Sequence, residues 1–502
     1  MPFSIINSIT SWFLKKRIHQ IELFKKYPIE VQNEVLFSLI KKAENTELGK
    51  KYDFKSIKDY KSFSKNIPLT TYEEFYPYIK RSIDGEDNIF WSSKIKWYAQ
   101  SSGTTNSKSK YIPVSIESLE ECHYRAGKDV LCLYINNNEK SNLFSGKSLR
   151  LGGSRKILNK GDNYFGDLSA ILIDNLPLWA EMMSTPNSEI SLINDWDNKL
   201  IRIIETSIKE NVTSLAGVPS WMLIMLNKVL KEKKFNNISE VWKNLEVYFH
   251  GGIDFKPYKN QFKKILGPKV QFYEVYNASE GFFGIQDRNN SEDMLLMLDY
   301  GIFFEFQEYN SDEYKNNKIV NLSDVKLNTN YAIIITTNAG LWRYKIGDTI
   351  KFTSLDPYRF KISGRTKNFI NAFGEELIIE NAEKAINKTL SKHKSTVCEY
   401  TVAPNFIKNN KSGNHDWFIE FYIKPKNINN FKRDLDLNLQ KLNSDYEAKR
   451  FKNITMQELE IIEGRSNVFY DWLKNKKKLG GQNKVPRLSN DRKIIEELLK
   501  LN

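Results

Sequence analysis

Residues 100–113 read Gln100-Ser101-Ser102-Gly103-Thr104-Thr105-Asn106-Ser107-Lys108-Ser109-Lys110-Tyr111-Ile112-Pro113. Six hydroxyl side chains, one glycine and two lysines fall between Ser101 and Lys110. Hydroxyls and backbone N–H groups can wrap phosphate oxygens, a glycine lets the backbone approach them, and lysines add positive charge. The stretch is not a Walker loop, because five residues beyond Gly103 the chain has Lys108 where that motif needs glycine. Composition alone fits a solvated surface loop as well as a phosphate grip.

Two segments further along change that balance. Tyr276-Asn277-Ala278-Ser279-Glu280-Gly281 follows an apolar run, Phe272–Val275, that reads as a strand. A carboxylate beside a hydroxyl at a strand end can hold Mg²⁺ and touch phosphate, though the tripeptide alone would serve equally as a helix cap. Gly340-Leu-Trp-Arg-Tyr-Lys-Ile-Gly-Asp348 ends an apolar segment on an acid. A carboxylate so placed can accept both hydroxyls of a ribose, and could as well sit in a hairpin turn.

The chain around these segments has 502 residues, too many for one ordinary core, so two or more domains are expected. Lys+Arg number 75 and Asp+Glu 61, a net charge of +14. That surplus suits polyanions such as nucleotides, but the lysines are scattered and mixed with acids, as on a solvated surface. Basic clusters such as Lys474–Lys478 are too short to support a nucleic-acid-binding reading. Three cysteines, Cys122, Cys132 and Cys398, form no CxxC pair, and the five histidines form no HExxH motif, so neither a disulfide framework nor a His-rich metal site is expected. Residues 3–15 are an apolar run broken by polar residues, without the leading charge of a signal peptide. No stretch approaches the length of a spanning helix. A cytoplasmic monomer without integral membrane contact is expected.

Pro28-Ile29-Glu30 opens a helix with Val31, Val35, Leu36, Leu39 and Ile40 on one face. From about residue 95 to 360, strand-like runs alternate with helices and glycine turns: Ser169–Ile173, Val247–His250, Phe272–Val275 and Tyr331–Thr337. Beyond residue 368 the pattern becomes α+β. Helices are expected at Glu380–Leu390, Phe431–Leu442 and Asn467–Lys474, and strands at Glu399–Ala403, Trp417–Ile423 and Met456–Ile462. The boundary falls at Arg365–Asn371, giving domains 1–366 and 367–502. Gly480-Gly481 after the lysine run suggests a mobile basic loop.

In order and spacing, the three segments resemble the auxin-responsive acyl-acid amido synthetase family of the adenylate-forming superfamily. The resemblance runs nearly end to end. It takes in Pro28–Gln32 to Thr46–Lys50, Gly217–Met222, His250-Gly251-Gly252, Phe303–Phe306, Asn443–Arg450 and Gln482–Arg487. It implies an α/β fold: a large N-terminal adenylate-forming domain of mixed sheets and helices with a β-barrel-like portion, and a small mobile α+β C-terminal domain. It implies ATP and Mg²⁺, a small-molecule carboxylic acid, and an amino acid or other amine as acceptor.

Residue by residue, the resemblance assigns Ser101, Ser102, Gly103, Thr104 and Thr105, with Lys108 or Lys110, to the ATP phosphates. Ser107 departs from the glycine that many relatives carry. Gly251 and Gly252 would line the adenine with Tyr276, Ser279 would meet the α-phosphate, Glu280 would support Mg²⁺, and Asp348 would hold the ribose. Arg365 would reach the nucleotide from the hinge motif Gly364–Glu376, with Lys367 at the pivot. Lys484 resembles the lysine that stabilises charge on the α-phosphate, with Lys367, Lys474 and Lys478 as competitors. Trp179, Trp221 and Met222 are acyl-pocket candidates, each equally able to be core. His123 is expected on a helix surface. A coenzyme A thioester ligase shares the activation step and is the main alternative; a non-catalytic basic protein binding nucleic acid or membrane is a distant one.

Overall fold

The computed structural model describes residues 16–101, 110–152, 158–160, 162–252, 255, 258–309, 318–366, 369–406, 412–476 and 485–502. The phosphate-loop candidates 102–109, the lysines Lys367, Lys478 and Lys484, and residues 3–15 lie outside them, as does the side chain of Arg365. The chain packs as two compact units: of the described residues, those up to Ser101 and from Tyr111 to Thr366 form the first, and those from 369 onward, together with Lys110, form the second.

In the first unit, helix Pro28–Ala43 starts on proline, carries Glu30 in its first turn and Lys41 and Lys42 in its last, and buries Leu36, Leu39, Ile40 and Ala43. The same face buries Gln32. Its amide donates to the carbonyls of Leu298 and Ile302 (2.8 and 3.0 Å) and accepts the Phe304 N–H (2.9 Å). A buried amide with its bonds met costs little and fixes where the helix sits on the strand Ile302–Glu308.

Twelve strands form one sheet. Its parallel half runs Ser184–Thr185, Lys147–Arg150, Val212–Gly217, Val247–Gly251, Gln271–Ala278. Helices Trp196–Ser207, Pro219–Lys233 and Lys259–Leu266 share a core with one face of this half, around Leu149, Leu215, Met222, Tyr248 and Phe262. At Ser279-Glu280 the chain reverses into Gly281–Ile285, and the sheet continues antiparallel through Met294–Leu296, Tyr358–Arg365, Tyr344–Leu355, Asn330–Thr337, Ile302–Glu308 and Ile319–Asn321. The expected barrel-like portion does not close. Among the described residues Ile319–Asn321 pairs only with Ile302–Glu308 and stands at the edge of the sheet. A second sheet orders Lys110–Val114, Trp97–Ser101, Asn163–Gly166 and Leu158–Lys160.

Two local expectations are corrected. Ser169–Ile173 is not a strand but part of helix Leu168–Asp174, because Leu168 and Ile171, three apart, both enter the core. His123 is not on a surface. It lies buried in the wide helical turn Ser118–Tyr124, where burial pushes its imidazole down to about 4.

The second unit stacks Thr396–Asn405, Asn414–Ile423 and Glu460–Gly464 into a sheet, with helices Ile379–His393 and Ile428–Leu442 sharing its main core. The third strand starts four residues later than Met456, which forms only an isolated bridge. The Asn443–Arg450 pattern is structural: Tyr446 donates to Asp436 (2.7 Å) and Arg450 grips the same carboxylate (2.8 Å). Near the C-terminus, Pro486–Ser489 docks on the outer edge of Thr396–Asn405. Val402 N–H donates to Arg487 O and Ser489 N–H to Val402 O, both at 2.9 Å. Among the described residues no helix is long and apolar enough to cross a membrane, and no disulfide joins the three cysteines.

Candidate functional site

Three parallel strands end side by side. Val212–Gly217 stops at a glycine with φ +155°, whose carbonyl accepts the Tyr248 hydroxyl at 2.9 Å. Val247–Gly251 runs into Gly251-Gly252. A Cβ on Gly251 would lie 2.4 Å from the Val275 carbonyl oxygen, and Gly252 takes φ +84°. Both positions therefore require glycine, the first for close strand approach and the second for its left-handed turn. His250 beside them is buried, stacks on Phe255 at 3.8 Å, and is held neutral by burial, which pushes it down to about 3. The third strand, Gln271–Ala278, ends at the half-buried pair Ser279 and Glu280.

Tyr276 and Asp348 meet here. The buried Tyr276 hydroxyl donates to Asp348 Oδ2 at 2.5 Å, which joins the parallel half of the sheet to the antiparallel strand Tyr344–Leu355. Asp348 in turn faces Arg365 across the backbone ladder. At the start of Asp348's strand lies Tyr344, whose buried hydroxyl has no hydrogen-bond partner among the described residues. Burial, with the fields of Glu280, Tyr72 and Glu73, holds it well above its ordinary value and so as a neutral O–H. Tyr72 accepts the Tyr111 N–H at 2.9 Å, beside Lys110. The chain ends that flank residues 102–109, Ser101 and Lys110, close neighbouring strands.

Tyr276 is thus bonded to Asp348, and Tyr344 lies within the electrostatic field of Glu280 and Tyr72. A donor without a partner among the described residues, in the field of a half-buried carboxylate, suits a phosphate and a Mg²⁺ ion, which takes one or two carboxylates and completes its shell with phosphate and water. The acyl-pocket candidates scatter. Met222 is fully buried in the core, Trp221 is half-buried, and Trp179 is 42% exposed beneath the Lys128 ammonium at 5.6 Å. Lys474 is exposed on helix Val468–Asn475.

Family models cover the chain in three consecutive blocks: the GH3 family N-terminal domain over residues 17–271, the central domain over 295–365 and the C-terminal domain over 380–493. The first alone spans half of the chain. The chain belongs to the GH3 family. Among its relatives, the indole-3-acetic acid-amido synthetase GH3.2 of Arabidopsis thaliana is 24% identical, over 79% of this chain and 85% of its own length. The jasmonoyl–L-amino acid synthetase JAR4 of Nicotiana attenuata is 25% identical, over 66% and 68%. Among solved structures, the GH3.15 acyl acid amido synthetase superposes with a TM-score of 0.61 at 18% identity, over 97% of this chain and 95% of its own. A 2-hydroxyisobutyryl-CoA ligase gives 0.53 at 12%, over 94% and 91%. The fold is that of the adenylate-forming acyl-acid amido synthetases.

Within this GH3 chain, sequence reading singled out Asp348 but passed over Tyr344, four residues before it. It also passed over what holds that segment. Arg343, at φ +43°, donates to both oxygens of the buried Glu305 (2.8 and 2.7 Å) and to the carbonyls of Ser64 and Ile67 (both 2.8 Å), while Tyr60 donates to Glu305 at 2.9 Å. The signal was present: a lone Glu inside Phe303–Phe306 and a lone Arg inside Gly340–Tyr344, each in an otherwise apolar run, call for each other.

Proposed function

We propose that this chain is an ATP-dependent acyl-acid amido synthetase. It activates a carboxylic acid as acyl-AMP with release of pyrophosphate, then passes the acyl group to an amine, an amino acid, with release of AMP. The observation that carries this is the junction of Tyr276, Asp348, Glu280 and Tyr344 at the strand ends of a GH3 chain. Asp348 takes the ribose hydroxyls, and Tyr276, Gly251 and Gly252 bound the adenine. Ser279 and Tyr344 donate to phosphate oxygens, as do Ser101, Ser102, Thr104 and Thr105, with Gly103 giving close backbone approach and Lys110 positive charge. Glu280 would hold Mg²⁺, which when bound neutralises charge on the phosphates.

Attack of a carboxylate on a polyanion is limited by repulsion, so donors fixed before the reaction lower its barrier. Lys484, directly before the anchored Val485–Ser489, supplies positive charge at the α-phosphate, and Arg365 contacts the nucleotide. The unit 1–366 binds ATP and acid, and 367–502 moves between the two half-reactions, shielding the adenylate from water. The enzyme acts as a cytoplasmic monomer.

Acid-dependent ATP–pyrophosphate exchange across aromatic, indole and aliphatic acids, with mass detection of the amide, tests this. Absence of exchange with every acid sinks it. The likeness to a coenzyme A ligase fold favours one second reading, a thioester product. Supplying amino acids and coenzyme A separately to the adenylated enzyme decides between them.

A further inference from the structure

Arg150 closes the strand Lys147–Arg150 at the same edge of the sheet as the site. Its neighbour Leu149 is fully buried in the core that contains Met222 and Leu200, so alternation turns Arg150 to the opposite face. There it lies across from Ala216, which packs on the larger core that contains Leu168 and Ile171. The half-buried guanidinium has no hydrogen bond or ion pair among the described residues. Arg17, Arg343, Arg359, Arg450 and Arg492, by contrast, each hold a carboxylate within 2.9 Å. Glu181 acts on Arg150 only through space, and its own oxygen accepts the Ser188 N–H at 2.7 Å. Two residues on, the Gly152 carbonyl accepts the buried Lys199 ammonium at 2.8 Å, and Asp167 acts on that lysine through space.

A guanidinium drawn largely out of water with no partner among the described residues costs stability, and a group kept at that cost is kept for a ligand. We propose that Arg150 receives the far end of the acid substrate, and that the substrate therefore carries a second anionic group, a carboxylate or its equivalent. This rests on the activity proposed above. Arg150's strand stands three rungs from Gln271–Ala278, whose end is the reacting site. At roughly 4.8 Å per rung that is about 14 Å. An extended arginine spans about half of it, and the remaining roughly 7 Å fits five or six carbon–carbon bonds.

The test is pyrophosphate exchange with matched pairs, adipate against hexanoate and suberate against octanoate. In the wild type, at least one diacid should exceed its monoacid partner in kcat/KM by about 10- to 100-fold, the worth of a charge-assisted hydrogen-bond pair. In Arg150→Leu the ratio should invert, and Arg150→Lys should keep part of the preference. The Leu variant should melt no lower than the wild type, because it removes an unpaired charge. Exchange with monoacids only, equal loss of both classes in Arg150→Leu, or a drop of several degrees in its Tm overturns the inference while leaving the activity standing. Exchange with neither class overturns the activity itself.

Discussion

At the scale of single residues, the site hinges on the bond from Tyr276 to Asp348. The ribose role proposed for Asp348 needs its carboxylate held still, and the tyrosine does the holding. Asp348→Asn should therefore raise the KM for ATP in the exchange assay by about 10- to 100-fold, the range for hydrogen bonds to a charged group. Tyr276→Phe keeps the ring and the charge and should cost about tenfold. Wild-type KM in both variants would remove Asp348 from the nucleotide site. Arg343 and Glu305 work differently, on stability. Arg343→Met leaves Glu305 buried without its partner and should cost about 3–5 kcal/mol in urea unfolding, whereas a loss under about 1 kcal/mol would show the pair to be dispensable. By itself a carboxylate after glycine read equally as a hairpin turn, and only its order with the other two segments singled Asp348 out. Tyr276 was placed at the adenine, and its bond to Asp348 left no trace because the fold that brings residues 276 and 348 together is non-local.

Whole elements were legible where local pattern and tertiary demand agree. The strands at 247, 271 and 330, and nearly every element after 378, stand where periodicity and turn residues put them. Leu168–Asp174 went the other way because a short apolar run has no period of its own and its neighbours choose its conformation. The turn Ser118–Tyr124 is a case where the element, not the residue, decides a property. It carries His123 into the core, where burial pushes its pKa from 6.5 to about 4. Between those values the unfolded chain binds a proton that the folded chain refuses. Stability from this group is therefore complete above pH 6.5 and falls as pH drops towards 4. The shift corresponds to on the order of 3 kcal/mol. Unfolding free energy measured from pH 7 to 4.5 should decline about 2–3 kcal/mol less in His123→Leu than in the wild type. Parallel declines would mean that His123 is protonated in the fold.

Over the whole molecule, the order of the twelve strands could not be read from the sequence, because a pairing such as Met294–Leu296 with Tyr358–Arg365 spans sixty residues and leaves no local trace. The division of the chain has a different physical basis. The second unit owns its apolar cores, one around Trp417, Leu435 and Tyr446 and one around Phe418, Phe469 and Ile495, and its buried Glu375 is bonded to its own His415 at 2.7 Å. Residues 367–502 alone should therefore fold with a cooperative thermal transition, since the described residues of those cores all lie beyond 367. The complementary fragment 1–366 keeps Tyr276, Glu280, Tyr344 and Asp348 and should still bind ATP by calorimetry. It lacks Lys484, however, and the positive charge proposed for the α-phosphate, and each such lost contact is worth about 100- to 1,000-fold in rate. Acid-dependent exchange should fall by at least that much in the fragment. Exchange at the full rate without residues 367–502 would move the whole of adenylation into the first unit and leave the second a role only in the transfer to the amine.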